Sequence, residues 1–357
     1  AVEHLACRRM GPPALPPPPS DYIKRARTQA RGLAAAVPTT SAVARATAGA
    51  VVSAGAQARA FTQGSMVRAY EVWPTRNVFC CWGHLMTGPV EDIGPNACAW
   101  GSLLSPMVIF FFIWGDILWD PNELPPGYAY TCCACFASAI FWFVVTSFLD
   151  PGIIPRGPKP EFTPAATRSF TDPASGLVQY ETWCTTCNVY RPPRASHCAD
   201  CDNCVRNFDH HCPFTRNCIG RRNYGAFVMF LCSTCASLAV VLISGLTLPT
   251  HIKHLGNVDP NTAGLFELLN TLVLIFCLVM AALLFSFTTY HVSLICSGMT
   301  TKEHLKGKRS FKKESPFQRL CEPCAVQPSE LAPRQMVQIG IATFPASTVP
   351  VISSSQL

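Results

Sequence analysis

The sequence predicts an α-helical polytopic membrane protein: four transmembrane helices, with a cytosolic zinc-binding cysteine-rich domain between helices 2 and 3. Three observations predict it. Of 357 residues only 14% are charged and 49% are apolar, against about 25% charged in a typical soluble domain. Four apolar runs long enough to cross a bilayer fall at Ala97–Leu118, Ala129–Leu149, Tyr224–Leu248 and Leu265–Cys296. Between the second and third runs, residues 184–227 hold seven cysteines and three histidines. Four such runs folded as buried soluble helices would need a far larger polar surface to cover them.

Residues 1–65 are rich in Ala, Pro, Ser and Thr, with scattered Arg and no acid between Tyr22 and Tyr70. This fits a disordered low-complexity segment, an Arg-rich, acid-poor transit peptide, or sequence upstream of a start at Met66. No secretory signal is evident, so the first span is expected to direct membrane targeting. Residues 66–96 form a cytosolic pre-membrane segment that carries Cys80-Cys81. Those two cysteines suit lipidation as well as plain packing at the membrane surface.

The first pair of spans fills residues 97–149. The first holds Pro106, Gly115 and, near its end, Asp116; Pro and Gly are tolerated in membrane helices. Orientation follows from basic residues. Of 28 Lys and Arg, 10 precede the first span, 9 lie between the second and third, and 8 follow the fourth. The two connections on the other side hold only Lys253. Both termini and the cysteine-rich segment are therefore expected in the cytosol, which is reducing, so the 20 cysteines need no disulfides. The net charge of +7 reads as this bias plus attraction to an anionic leaflet, and no pattern of a nucleic-acid groove accompanies it.

Residues 150–223 open with Asp150-Pro151-Gly152, which stops a helix. Residues 153–180 hold five prolines and read as a linker with little core. Then come paired Cys-x2-Cys steps, His197-Cys198, two more such steps, and Asp209-His210-His211-Cys212. Tetrahedral zinc takes ligands at such spacings, short loops gripping the ion before distant residues close the shell. A segment this short needs metal because it cannot bury enough apolar surface to fold alone. Ten candidate ligands are present; two four-ligand zinc sites leave a cysteine and a histidine, the makings of a nucleophile and its base. Spacing alone does not say which cysteines share an ion. A thiol attacks as its thiolate, and a free cysteine is mostly protonated at neutral pH. A histidine oriented by a carboxylate solves that, and Asp209, His210 and Cys212 supply the three types. Their contact requires a turn.

The second pair of spans lies in residues 224–296, and the over-long fourth is expected to tilt or to continue as helix beyond the bilayer. In the tail, residues 297–357, Thr300-Thr301-Lys302-Glu303 reads as a polar helix cap. A basic stretch after it suits anionic headgroups. Cys321-x2-Cys324 lacks partners for a zinc site.

The cysteine-rich segment resembles the DHHC protein S-acyltransferases, whose domain runs C-x2-C-x9-H-C-x2-C-x2-C-x4-D-H-H-C-x5-C-x4-N-x3-F; every spacing fits, with Asn223 and Phe227 last. The resemblance implies interleaved zinc sites. One takes Cys184, Cys187, His197 and Cys204; the other takes Cys198, Cys201, His211 and Cys218. Cys212 is then the acyl-accepting nucleophile, with His210 and Asp209 beside it, and the zinc is structural. Asp150-Pro151-Gly152 matches the family's Asp-Pro-Gly motif, and Thr301 matches its Thr-Thr-x-Glu motif, which implies contact with Asp209. The pre-membrane segment is similar to that of the family's Ras-type branch. Two positions depart: Phe214 stands where the family commonly has Trp, and Ser315-Pro316-Phe317 lacks the Asn of an Asn-Pro-aromatic element.

The implied reaction is ping-pong. Cys212 takes a fatty acyl group from acyl-CoA, palmitoyl-CoA in the family, and passes it to a cysteine of a membrane-associated protein at the cytosolic surface. Arg191, Arg194, Arg221 and Arg222 are the available cations for CoA phosphates, or else solvated positive-inside residues. The family lives in the endomembrane system (Golgi or ER) or the plasma membrane, in some cases with an accessory subunit. Two other readings compete: a membrane-anchored ubiquitin ligase with a RING-like module, which the adjacent His-Cys and terminal Asp-His-His-Cys fit poorly, and a non-catalytic zinc scaffold.

Overall fold

The computed structural model describes residues 66–125, 127–172, 176–255, 260–307 and 329–338, with backbone alone for 249–255. The expectations for residues 1–65, Ser315-Pro316-Phe317 and Cys321-x2-Cys324 lie outside the described residues.

Four helices are long and apolar enough to cross a membrane: α1 (Ile93–Leu118), α2 (Tyr128–Phe148), α3 (Tyr224–Leu255) and α4 (Pro260–Ser297). The protein is an integral membrane protein. Helix α1 starts four residues before the expected Ala97 because Gly94-Pro95 sits in its first turn. There the missing proline N–H has no intrahelical partner to lose. Helix α4 likewise opens on Pro260 rather than Leu265 and has 38 residues. At 1.5 Å per residue that is about 57 Å, against a hydrocarbon core of about 30 Å, so α4 runs well past one bilayer face. Helix α2 stops at Phe148, just before Asp150-Pro151, since a residue preceding proline avoids the helical region.

Inside the bundle, Phe110, Trp114, Phe136, Phe143, Leu238, Val241 and Cys277 are buried together. Among the described residues, polar pairs tie the helices together: Tyr128 Oη with Ser244 Oγ at 2.7 Å, Ser138 Oγ with Ser233 Oγ at 2.9 Å. Asn270 Nδ2 donates to the Gly245 carbonyl at 2.9 Å. In hydrocarbon such bonds stitch helices that have no hydrophobic drive to associate.

Outside the helix bundle, the described residues form twelve short strands. Before the membrane lie β1 (Met66–Arg68), β2 (Val78–Cys80) and β3 (Leu85–Thr87), the last two a hairpin. Between α2 and α3 come β4 (Ile153–Ile154), β5 (Thr167–Thr171), β6 (Val178–Cys184), β7 (Val189–Arg191), β8 (Ser196–Cys198), β9 (Asn203–Val205), β10 (His210–Cys212) and β11 (Asn217–Ile219). They make three small antiparallel sheets, β5-β6-β7, β4-β9-β8 and β10-β11. The linker read over residues 153–180 begins as a strand. Ile153 and Ile154 pair with Val205 and Cys204 and are buried, two β-branched residues suited to a strand that completes the sheet with β8 and β9. The exposed β5 has no core.

The tail also contributes what its sequence did not announce. Strand β12 (Met336–Gln338) pairs with β1, the Ser329 hydroxyl donates to Asp150, and Arg206 pairs with Glu330. Helix α5 (Thr301–Leu305) follows α4 closely, with Thr300 as its N-cap in a capping box with Glu303.

Candidate active site and metal sites

Ligand geometry begins with the turns. The residues after Cys184-x2-Cys187 and Cys198-x2-Cys201, Asn188 and Asp202, have left-handed φ values of 53° and 55°. Asn and Asp adopt that conformation at low cost, so the chain reverses at once and turns both thiols inward. The ring of His197 is brought against the first group, its Nδ1 at 3.7 Å from Cys184 Sγ, 3.4 Å from Cys187 Sγ and 3.8 Å from Cys204 Sγ. His211 Nδ1 lies 3.4 Å from Cys201 Sγ and 3.6 Å from Cys218 Sγ, with those two sulfurs 3.5 Å apart. Zn–S near 2.3 Å and Zn–N near 2.0–2.1 Å make tetrahedron edges of about 3.5–3.8 Å, so these spacings fit a metal ion. Two groups, Cys184, Cys187, His197, Cys204 and Cys198, Cys201, His211, Cys218, each gather their ligand atoms within 4.8 Å. The pairing is interleaved, as register dictates: His197 and Cys204 face each other across β8–β9, and His211 and Cys218 across β10–β11.

Each ligating histidine has an acid at its far nitrogen. His211 Nε2 lies 2.8 Å from Asp92 Oδ2, and His197 Nε2 lies 3.7 Å from Asp202 Oδ1. A hydrogen bond such as that of Asp92 orients a ring whose other nitrogen faces a candidate metal site. Asp92 sits more than a hundred residues upstream, outside any spacing pattern.

Cys212 belongs to neither group. It is buried at 8% exposure, at the end of β10, beside Ile219, Phe227 and Leu231. It opens onto an apolar cavity of about 280 Å³ inside the helix bundle, lined by Leu103, Phe143, Leu231, Leu238 and Met280 among others. Phe214 also lines this cavity and is itself exposed at the mouth. His210 donates from Nδ1 to Asp209 Oδ2 at 2.7 Å and hydrogen-bonds to Cys212. Thr301 donates to Asp209 twice, from its backbone N at 2.8 Å and from Oγ1 at 2.7 Å.

Electrostatics follow from this row of contacts. Burial pushes the Cys212 thiol up, but the hydrogen bond and charge of His210 more than offset it, so the net shift is downward. Burial opposes the charged form of His210, yet Asp209 and Cys212 raise it to about 9. Burial also raises the Asp209 carboxyl, and His210 and Thr301 outweigh it, leaving it low. The set favours a thiolate–imidazolium pair.

The loop after Cys212 is clamped by the pre-membrane segment. Asn96 donates to the Phe214 carbonyl at 2.7 Å, Thr87 Oγ1 to the Arg216 carbonyl at 2.7 Å, and Arg216 Nε to the Pro89 carbonyl at 2.7 Å. Asn217 and Asn223 cap the end of α2: Asn217 donates to the Leu149 carbonyl at 2.9 Å, and Asn223 to Thr146 at 3.3 Å and Cys218 at 2.8 Å. Asp150 caps the next turn, accepting from Gly152 N and Ile153 N at 2.9 Å each and pairing with Arg222 at 2.8 Å. Gly220 faces this turn so closely that a Cβ would lie 2.6 Å from the Pro151 carbonyl.

The four arginines separate. Arg194 forms a two-pronged pair with Glu303 at 2.8 and 2.7 Å, and Arg222 is held by Asp150; both are structural ties. Arg191 lies near Lys302 and Lys306, whose mutual repulsion adds to burial in lowering the Lys302 ammonium. Lys302 sits 4.9 Å over the Phe208 ring, next to Asp209. Arg221 lines a small pocket of about 140 Å³ with Arg206 and Glu330. Asp92 is the contributor that motif reading passed over; Lys302 and Glu303 were singled out only within the Thr-Thr-x-Glu motif, without these contacts.

The family model described as DHHC palmitoyltransferase matches residues 178–308. Palmitoyltransferase ZDHHC18 of Mus musculus is 32% identical over 271 residues, covering 69% of this chain and 67% of that protein. Palmitoyltransferase ZDHHC8 of Canis lupus familiaris is 34% identical over 258 residues, covering 68% of this chain but 31% of its own length. Its Drosophila melanogaster namesake is 36% identical over 231 residues, 64% of this chain and 24% of that protein. The chain thus spans about a third or less of the ZDHHC8 relatives and two thirds of the ZDHHC18 ones. With its matched domain, its two ligand groups and its Asp-His-His-Cys strand, the chain belongs to the DHHC palmitoyltransferase family.

Proposed function

We propose that the protein is a protein-cysteine S-palmitoyltransferase, loading a fatty acyl group from acyl-CoA onto Cys212 and passing it to cysteines of membrane-associated proteins. One observation carries the reading: Cys212 is excluded from both ligand groups, paired with His210, and placed at the mouth of an apolar cavity.

His210 takes the Cys212 proton while Asp209 holds the imidazole by Nδ1. The thiolate attacks the thioester carbonyl; the new C–S bond forms on Cys212, the bond to CoA sulfur breaks, and His210 returns the proton to the leaving thiolate. In the second half an acceptor cysteine gives its proton to His210 and attacks the acyl-Cys212 carbonyl, freeing Cys212. The acyl chain lies in the cavity, where each buried CH2 contributes about 0.8 kcal/mol. The two ligand groups would each hold a zinc ion, which would supply folding free energy and keep the His210–Cys212 strand rigid. CoA phosphates meet Arg191, Lys302 and Lys306, with Arg221 the remaining candidate. Basic residues around the ligand groups support a cytosolic placement of that domain and both termini, in the Golgi, ER or plasma membrane. An accessory subunit is compatible with the exposed cytosolic layer.

The test is loading of the purified full chain with an alkyne-labelled long-chain acyl-CoA. Hydroxylamine-labile label on wild type, absent from Cys212→Ser, supports the reading; label that persists in that variant contradicts it.

A further inference from the structure

Near the end of α4, His291 is 1% exposed, yet its Nε2 has no hydrogen-bond partner among the described residues. Its Nδ1 meets the Tyr224 hydroxyl at 3.1 Å, tying the first residue of α3 to α4. Its ring lies edge-on to Phe227 at 5.0 Å and Phe287 at 4.6 Å, and its centroid is 6.0 Å from that of His210. Phe227 also stands edge-on to His210, at 5.4 Å. His291 does not line the acyl cavity, although Phe227 and Phe287 on either side of it do.

Packing alone gives no reason for an imidazole in this nest. A phenyl ring makes the same edge-to-face contacts without burying a partnerless polar atom, which costs stability. What the imidazole adds is a polar grip on Tyr224. A second gap points the same way: the bond from Nδ1 to Asp209 fixes one point of the His210 ring, not its plane. The plane also depends on what lies against the ring, and Phe227 and His291 are the rings placed there.

We propose that His291 is a positioning residue for His210, with the Tyr224 hydroxyl locking the His291 ring and that ring holding the His210 imidazole toward Cys212. The segment from α4 to α5 then docks on the Asp209–His210 pair at two points, Thr301 on the carboxylate and His291 on the imidazole. The inference rests on the reading of His210 as the base for Cys212.

The experiment is single-turnover acyl loading of the purified full chain across a range of palmitoyl-CoA concentrations, beside zinc content. The variants are His291→Phe, His291→Asn, Tyr224→Phe and the double Tyr224→Phe/His291→Phe. His291→Phe keeps both metal ions and the half-saturating palmitoyl-CoA concentration, while its maximal loading rate falls about 10- to 100-fold, the scale of a misaligned catalytic group. His291→Asn, with an amide where Nδ1 stands, recovers most of that rate. Tyr224→Phe lowers the rate in the same way, and the double variant is no slower than His291→Phe, the signature of one shared contact. A His291→Phe chain that loads at the wild-type rate overturns the proposal, as does equal loss in the Phe and Asn variants with release of zinc. A wild-type chain that never loads overturns the transferase reading and this proposal together.

Discussion

Thr301 reaches back 92 residues to Asp209 and donates two hydrogen bonds to it, one to each carboxylate oxygen. The second oxygen is shared with His210, so Thr301 fixes the group that orients the base. Thr301→Val removes the hydroxyl and keeps the backbone donor. A hydrogen bond to a charged group contributes about 1.5–3 kcal/mol, so loading of Cys212 is expected to slow by about tenfold or more with zinc content unchanged. Single-turnover kinetics beside metal analysis checks it; an unchanged rate contradicts it.

The pH dependence has a definite sign. Cys212 is held below the ordinary thiol range by His210 despite its burial, and His210 is raised to about 9 by Asp209 and Cys212 against its own burial. The thiolate–imidazolium pair therefore persists from below the free-thiol range up to about 9, and the two titrations belong to the pair. Loading falls on the acid side as the thiolate is protonated. His210→Ala removes the positive partner, so the acid limb moves up toward the free-thiol value of about 8.5. A loading profile whose acid limb stays put in that variant contradicts the pairing.

Asp92 lies 2.8 Å from His211 and Asp202 lies 3.7 Å from His197. Loss of an outer partner of a ligating histidine costs about 10- to 100-fold in metal affinity. Asp92→Asn is expected to weaken one of two ions by that factor, and Asp202→Asn less, since its contact is longer. Competition with a chromogenic chelator measures both; equal affinity in all three proteins contradicts the assignment.

Ser237 lines the apolar cavity on α3, 13 residues beyond Tyr224, about 20 Å along the helix axis. Ser237→Phe fills the deep end. Loading is then expected to shift toward shorter acyl-CoA, with each excluded CH2 losing about 0.8 kcal/mol of burial. Competition among acyl-CoAs of different length reads the shift, and an unaltered preference would place the chain elsewhere.

Four spans and the ligand-rich segment were legible because both are local patterns. An apolar run declares itself by length, and a Cys-x2-Cys step by spacing. Helix ends were less legible: Gly94-Pro95 and Pro260 look like breakers but serve as first-turn residues. Which cysteines share an ion was not legible from spacing at all, since it depends on strand pairing, His197 against Cys204 and His211 against Cys218. Contacts between distant segments leave no periodic trace. Asp92 on His211, Ser329 on Asp150 and His291 beside His210 each bring together residues 80 or more positions apart, and only folding makes them neighbours. The arginines show the reverse limit. Arg194 and Arg222 are indistinguishable from Arg191 and Arg221 in sequence, and it is Glu303 and Asp150 that claim two of them.

The central claim is that Cys212 carries the acyl group and the eight residues of the two ligand groups carry metal. It is tested most directly by measuring zinc stoichiometry and acyl loading together on purified Cys212→Ser, with Cys218→Ala as its counterpart. The account predicts full zinc and no hydroxylamine-labile acyl group in the first, and lost zinc with lost activity in the second. Zinc released by Cys212→Ser, or a Cys218→Ala chain that keeps full zinc and loads normally, contradicts it.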